Sequence, residues 1–178
     1  AFLFAMIHVF LHEHPRDRLD LPFLKHRTSS PYLVGPNGLF MRDSSTRKPL
    51  VMDAASGRAV PFDTAGIDPI LEGSFVVDGV EASADEEIIS HKAVTVSPAF
   101  VHLVAHVKEY SPEWAEPICD VPAATIRRIA TEYLDHAHIG ETIEIEGVRL
   151  PYRPVSVSLG KTVNNGWGGF ECVWARTV

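Results

Sequence analysis

Residues 154–169 read PVSVSLGKTVNNGWGG, an extended run followed by a loop that contains four glycines. Pro154–Leu159 alternates Val with Ser and predicts a strand, and the residues after Gly169 predict a helix. In open α/β sheets ligands bind beyond the carboxyl ends of strands, where a glycine-rich turn lets backbone N–H groups approach an anion. The stretch therefore predicts an α/β fold with a ligand-binding loop at 160–169.

The side chains of this loop suit a polar, anionic ligand. Lys161 offers a positive charge, and Asn164 and Asn165 offer both hydrogen-bond donors and acceptors. The glycine spacing matches neither G-x-G-x-x-G nor G-x-x-x-x-G-K-[ST], so the loop carries no mononucleotide signature. The alternative is a turn rich in residues that tolerate positive φ, without a ligand. Spacing alone leaves both interpretations open.

Apolar residues recur at the helical period on both sides of a turn-rich middle. The first stretch is apolar almost all round, which is typical of a buried helix. Ser111-Pro112 has the composition of a capped helix start. These patterns predict helices at 2–13, 19–27 and 98–110, and further helices that begin near Ser111 and Val121.

Between Tyr32 and Val80, short extended runs alternate with turn residues. Asp78-Gly79 is the strongest hairpin signal, because this pair tolerates the positive φ angles of a type I′ turn. We interpret 32–83 as a ribbon of surface hairpins, too polar and too interrupted for a core sheet, inserted into the α/β fold. Further hairpins are predicted at the turns 35–38, 54–57 and around Gly147.

This organisation gives three segments within one structural domain. A helical start covers 1–31, the β-hairpin insertion covers 32–83, and an α/β portion with the glycine-rich loop covers 84–178. The chain begins in a helical pattern without Met or an N-cap residue and ends in another helical pattern. We therefore expect it to be a piece of a longer polypeptide.

Composition excludes several classes of protein. The 178 residues are 46% hydrophobic and 22% charged, which is typical of a chain with a packed core and not of a disordered tail. The net charge of −7, with 16 Lys and Arg, leaves no basic stripe for nucleic acid. Two cysteines, Cys119 and Cys172, cannot build a disulfide framework or a four-thiolate metal site.

Two histidine pairs have the i,i+4 spacing of metal ligands on a helix. They are His8 with His12 and His102 with His106. No H-E-x-x-H pattern accompanies either pair, and such pairs are common by chance. We expect structural roles for all four side chains and predict no metal site in this chain.

Residues 107–130 read VKEYSPEWAEPICDVPAATIRRIA. This stretch resembles one found in the catalytic subunits of molybdopterin oxidoreductases, the dimethyl sulfoxide reductase family. Residues 2–13, 20–24 and 31–38 also look like that family. They are most similar to the branch with thiosulfate, polysulfide and arsenate reductases and phenylacetyl-CoA oxidoreductase-like enzymes.

The resemblance implies a Rossmann-like layered piece of the dimethyl sulfoxide reductase fold. Members bind molybdenum or tungsten through two molybdopterin guanine dinucleotides, transfer two electrons, and pass them through iron–sulfur clusters. The loop after the strand in this position faces the pterin and the substrate. Carried over to this sequence, it implies as cofactor-binding residues Gly160, Lys161, Asn164, Asn165, Gly166 and Trp167.

The chain lacks the family's cysteine motif for the 4Fe-4S cluster and the residue that ligates the metal. In the family both lie upstream of this stretch, so the catalytic residues are expected outside this chain and the isolated chain is expected to be inactive. Implied partners are the rest of the polypeptide, an electron-transfer subunit with iron–sulfur clusters, and a membrane anchor, in periplasm or cytoplasm. The alternative function is a non-catalytic α/β module that binds an anion or a partner.

Overall fold

The computed structural model describes residues 1–82, 87–157, 169 and 173–174. The helices are α1 (Phe2–His8), α2 (Leu21–Arg27), α3 (Ala99–Val107), α4 (Pro112–Cys119) and α5 (Ala123–His136). The strands are β1 (Leu33–Val34), β2 (Leu50–Asp53), β3 (Arg58–Pro61), β4 (Phe75–Ala82), β5 (Ile88–Pro98), β6 (Thr142–Ile145) and β7 (Val148–Pro151). This mixture of helices and strands confirms the α/β class.

The chain divides into two compact units. The helical unit comprises Ala1–Asp20 and His106–Val178, and the sheet unit comprises Leu21–Ala105. These bounds differ from the predicted segment boundaries, because β5 pairs with β1 and β4 and so places residues 88–98 in the sheet unit. A separate insertion at 32–83 stays a prediction.

The core of the helical unit forms where α1, α4 and α5 meet. Three of its fully buried residues are alanines, Ala5, Ala115 and Ala130, whose small side chains let the helices approach closely. Ile126 of α5 fills the space between them and is fully buried. The predicted buried first helix is confirmed, and it continues from α1 into a π-helical turn at Val9–Glu13.

The predicted start of α4 is also confirmed. Ser111 precedes the helix, and its side-chain oxygen accepts a hydrogen bond from the Trp114 N–H at 3.3 Å. Pro112 occupies the first helical position, where a missing N–H costs nothing. Asp120 ends the helix in the left-handed conformation, at φ 56°, and its N–H bonds back to the Glu116 carbonyl.

The sheet unit contains a three-stranded sheet in the order β1-β5-β4 and the β2–β3 hairpin, all antiparallel. The expectation that this segment is too polar and too interrupted for a core sheet is wrong. Every residue of β2 is buried, and one buried apolar cluster joins the strands to the loop before β2. Its members are Leu33, Met41, Leu50, Met52, Val77 and Val96.

The Asp78-Gly79 hairpin prediction is wrong, because both residues lie inside the continuous strand β4. β4 pairs with β5 from Phe75↔Val96 to Ala82↔Ile88, and the register shifts between Val77 and Gly79. A Cβ on Gly79 would lie 3.0 Å from the Arg42 carbonyl oxygen. Glycine is therefore needed here for the close approach of another backbone, not for a turn.

The predicted hairpin around Gly147 is confirmed as β6–β7, with Ile143 opposite Leu150 and Ile145 opposite Val148. The predicted strand at Pro154–Leu159 is not confirmed, since residues 152–157 form no ladder and 158–159 lie outside the described residues. All the ladders of the described residues are antiparallel. The Rossmann-like layer implied by the family resemblance stays a prediction.

Candidate functional site

The six predicted cofactor-binding residues share the glycine-rich segment and lie outside the residues that the structure describes. They are Gly160, Lys161, Asn164, Asn165, Gly166 and Trp167. Their role stays a prediction. The structure does show how the chain is held at Arg153, upstream of this segment.

Arg153 anchors the chain seven residues before Gly160. Its Nε and Nη2 both donate to Asp20 Oδ2, at 2.9 and 2.8 Å. Its Nη1 donates to the His138 carbonyl at 2.9 Å and to the Tyr152 carbonyl at 2.7 Å. One guanidinium thus ties the segment after β7 to two distant parts of the helical unit, and charge-assisted hydrogen bonds of this kind are the strong ones.

A second arginine crosslinks the helices of the same unit. Arg127 of α5 donates from Nε and Nη2 to the Glu13 carboxylate, at 2.8 and 2.9 Å, and from Nη2 to Glu113 Oε2 at 3.0 Å. The hydrogen bond from Arg127 lowers the pKa of Glu113 to about 2. The two carboxylates in turn raise the pKa of the guanidinium. The network joins α4 and α5 to the turn at the end of the first helix.

The histidines of the two pairs contact neighbouring backbone, hydroxyl and aromatic groups, and their expected structural roles stay a prediction. His8 Nδ1 lies 3.0 Å from the Val107 carbonyl oxygen, and the His8 ring stacks near that of His12, with centroids 4.9 Å apart. His102 Nε2 lies 2.9 Å from Ser97 Oγ. The His106 ring packs edge-on against Tyr110, at 5.2 Å. Among the described residues, no group of three or more His, Cys, Asp or Glu side chains is placed to hold a metal ion.

The sheet unit contains a fully buried carboxylate, Glu81 of β4. Its oxygens accept hydrogen bonds from Asn37 Nδ2 at 2.9 Å and from the Leu39 N–H at 3.2 Å. His91 Nε2 of β5 lies 2.7 Å from Oε2. A Cβ on Gly35 would lie 2.3 Å from Oε1, so the turn 35–38 is shaped around this carboxylate.

Asp53, at the end of β2, organises the loop that follows. It accepts hydrogen bonds from the Ser56 hydroxyl at 2.6 Å, the Ser56 N–H at 2.9 Å and the Asp68 N–H at 2.9 Å. These bonds, the Ser56 hydroxyl first, lower the pKa of Asp53 to about 2. The carboxylate therefore joins its own loop to Asp68, which is 15 residues further along the chain.

Five residues of these networks were not predicted from the sequence, namely Arg153, Asp20, Arg127, Glu81 and Asp53. Arg153 and Asp20 are 133 residues apart, and no local pattern reports on such a pair. Asp53 had a usable signal, since Asp followed by Ser at the third position is a frequent turn pattern. Glu81 had none, because an acidic residue in a strand is normally exposed.

No helix of the described residues is long and apolar enough to cross a membrane. No protein-family profile matches the chain. The chain is similar to a subunit of the sulfite dehydrogenase of Allochromatium vinosum, at 40% identity over 128 residues, which cover 64% of this chain. The chain spans 12% of that subunit's length. This similarity relates the chain to a redox-enzyme subunit.

Proposed function

We propose that this chain is an internal domain of the catalytic subunit of a molybdenum or tungsten oxidoreductase that holds its metal through two pterin guanine dinucleotides. The observation that carries the proposal is the 40% identity with a sulfite dehydrogenase subunit over 128 residues. The resemblance of residues 107–130 to the dimethyl sulfoxide reductase family supports the same assignment. When bound, the metal centre supplies two-electron redox chemistry.

In this proposal the chain contributes a wall of the cofactor and substrate pocket. Backbone N–H groups at Gly160 and Gly166 bind anionic oxygens, Lys161 adds positive charge, and Asn164 and Asn165 bind polar edges of the ligand. Trp167 is the sixth residue of this proposed set. The metal ligand and the cysteines of the 4Fe-4S cluster belong to other parts of the polypeptide.

Arg153 is the positioning residue of this arrangement. Its five hydrogen bonds, to Asp20, His138, Glu141 and Tyr152, hold the chain seven residues before Gly160. Small displacements of a binding segment cost affinity and rate even when the contacting residues are intact. The guanidinium therefore supports the pocket without touching the ligand.

We propose a sulfur oxyanion as the substrate, with sulfite as the first compound to test, because the relative is named for sulfite oxidation. The test uses the full-length polypeptide with its iron–sulfur subunit, purified without oxygen. Molybdenum and tungsten are measured by elemental analysis, pterin by the fluorescence of an oxidised extract, and sulfite oxidation with an artificial electron acceptor. We expect bound metal, bound pterin and sulfite-dependent electron transfer.

Arg153→Gln should lower the pterin content or raise the KM for sulfite, and Arg153→Lys should restore part of the loss. Arg149→Gln is the matched control, because Arg149 lies on the exposed strand β7 and bonds only to Thr142 among the described residues. A full-length protein that contains neither metal nor pterin contradicts the proposal. That result would favour the alternative function, a non-catalytic module that binds an anion or a partner.

A further inference from the structure

A cavity of about 460 Å³ lies in the sheet unit, between the end of α2 and the loop that follows β3. Its apolar residues are Pro31, Val51 and Pro69, all buried. Its volume falls within the range of small-molecule sites, roughly 300–1,000 Å³, and exceeds what an inorganic anion needs. All of its lining residues among the described part of the chain belong to the sheet unit.

Three basic side chains lie along one side of this cavity. Lys25, His26 and Arg27 line it in succession. Lys25 Nζ is balanced by Asp68 Oδ1, at 2.7 Å. The side chains of Arg27 and His26 are exposed and form no hydrogen bond or ion pair with another described residue. An uncompensated guanidinium in a chain of net charge −7 gives this cavity a local preference for anions.

The Arg27 side of the cavity is held by the turn that ends α2. Thr28 Oγ1 donates to the Leu24 carbonyl at 2.7 Å and accepts from the Ser30 N–H at 3.0 Å. These two hydrogen bonds hold the backbone at the end of α2 without involving the Arg27 side chain. The guanidinium is therefore presented by an ordered backbone and keeps its own donors for a ligand.

Two aromatic rings line the cavity as well. The Tyr32 and Phe62 ring centroids are 5.4 Å apart, and Phe62 is 42% exposed. Phe40 also packs edge-on against Tyr32, at 5.3 Å. Burial raises the pKa of the Tyr32 phenol, which is protonated at neutral pH in any case and can donate a hydrogen bond. Such rings favour a planar ligand through stacking and edge contacts.

We propose that this cavity binds a small anion that carries a planar ring, of the size of a nucleoside monophosphate. Arg27 binds the anionic group, as a planar guanidinium binds phosphate and carboxylate in two-point contacts. Phe62 and Tyr32 hold the ring above the apolar residues. This site lies within the sheet unit and its proposal does not depend on the proposed redox function.

The test compares three probes on the intact protein by isothermal titration calorimetry. Adenosine monophosphate carries ring and charge, adenosine carries the ring alone, and inorganic phosphate carries the charge alone. We expect adenosine monophosphate to bind at least about tenfold more tightly than either of the others, which corresponds to about 1.4 kcal/mol. The proposal is overturned if inorganic phosphate binds as tightly as adenosine monophosphate, or if adenosine monophosphate does not bind.

Variants assign the binding to this cavity. Arg27→Gln should weaken binding of adenosine monophosphate about tenfold or more, since it removes a charge-assisted contact. Phe62→Leu should weaken the binding of adenosine monophosphate and leave the affinity for inorganic phosphate unchanged. Arg58→Gln is the matched control, because Arg58 is an exposed arginine of the same unit that does not line the cavity. Equal nucleotide affinity in Arg27→Gln and Arg58→Gln overturns the assignment.

Discussion

Glu81 shows at the level of one residue how the sheet unit uses a buried charge. A carboxylate without partners in the interior would be strongly unfavourable. Here the charge is met by donors from the turn 35–38, from Leu39 and from β5. Its role is to tie the first turn of the unit to the central strands.

Replacing Glu81 by Ala should lower the free energy of unfolding by about 3–5 kcal/mol, because buried donors lose their acceptor. Urea unfolding followed by circular dichroism measures the change. Glu144→Ala is the control, since Glu144 is exposed on β6 and its loss should change stability by less than about 0.5 kcal/mol. Equal effects of the two substitutions would show that the Glu81 network adds nothing to stability.

Helix α4 illustrates the scale of a single element, because its start is specified locally. Ser111 supplies the cap, Pro112 the first helical residue and Glu113 a negative charge in the first turn. A negative charge at this position also interacts favourably with the helix dipole. Such short-range signals act in the same way in any tertiary context.

Ser111→Ala should therefore lower the free energy of unfolding of the helical unit by about 1 kcal/mol. The lost interaction is the hydrogen bond from the Trp114 N–H. Tryptophan fluorescence during urea unfolding reports on this region. Ser111→Thr keeps the hydroxyl and should retain most of the stability. If Ser111→Thr loses as much free energy of unfolding as Ser111→Ala, capping is not the cause of the loss.

At the scale of the whole molecule, three carboxylates make both units sensitive to acid. Hydrogen bonds from the Thr46 N–H and the Ser45 and Thr46 hydroxyls lower the pKa of Asp43 to about 2. Asp53 and Glu113 also have a pKa of about 2, from Ser56 and Arg127 respectively. The unfolded chain, with ordinary values of 3.8 for Asp and 4.5 for Glu, binds protons more readily than the folded protein.

The sign of the pH dependence follows from these lowered values. The stability that they contribute is fully present above about pH 5 and is lost as the pH falls from about 4.5 towards 2. We expect the urea midpoint to fall across this window. Asp53→Asn should be less stable than the natural chain at pH 5 and should lose less stability on acidification. If its urea midpoint falls with pH as steeply as that of the natural chain, the role assigned to Asp53 is contradicted.

The sequence by itself determined the elements whose signals are local. The first helix, α4, α5, the β2–β3 hairpin and the β6–β7 hairpin follow from apolar periodicity, caps and turn residues within a few positions of each other. The α/β class follows from the alternation of these elements. The resemblance to a family of redox enzymes also rests on local stretches of sequence, chiefly residues 107–130.

Only the tertiary structure decided what depends on partners far apart in sequence. Asp78-Gly79 has the composition of a hairpin turn, but long pairing with β5 and the approach of Arg42 make it part of one strand. The contact of Arg153 with Asp20 spans 133 residues, and Glu81 meets Asn37 across 44. Local propensity is worth fractions of a kcal/mol per residue, so contacts that bury strands and charges override it.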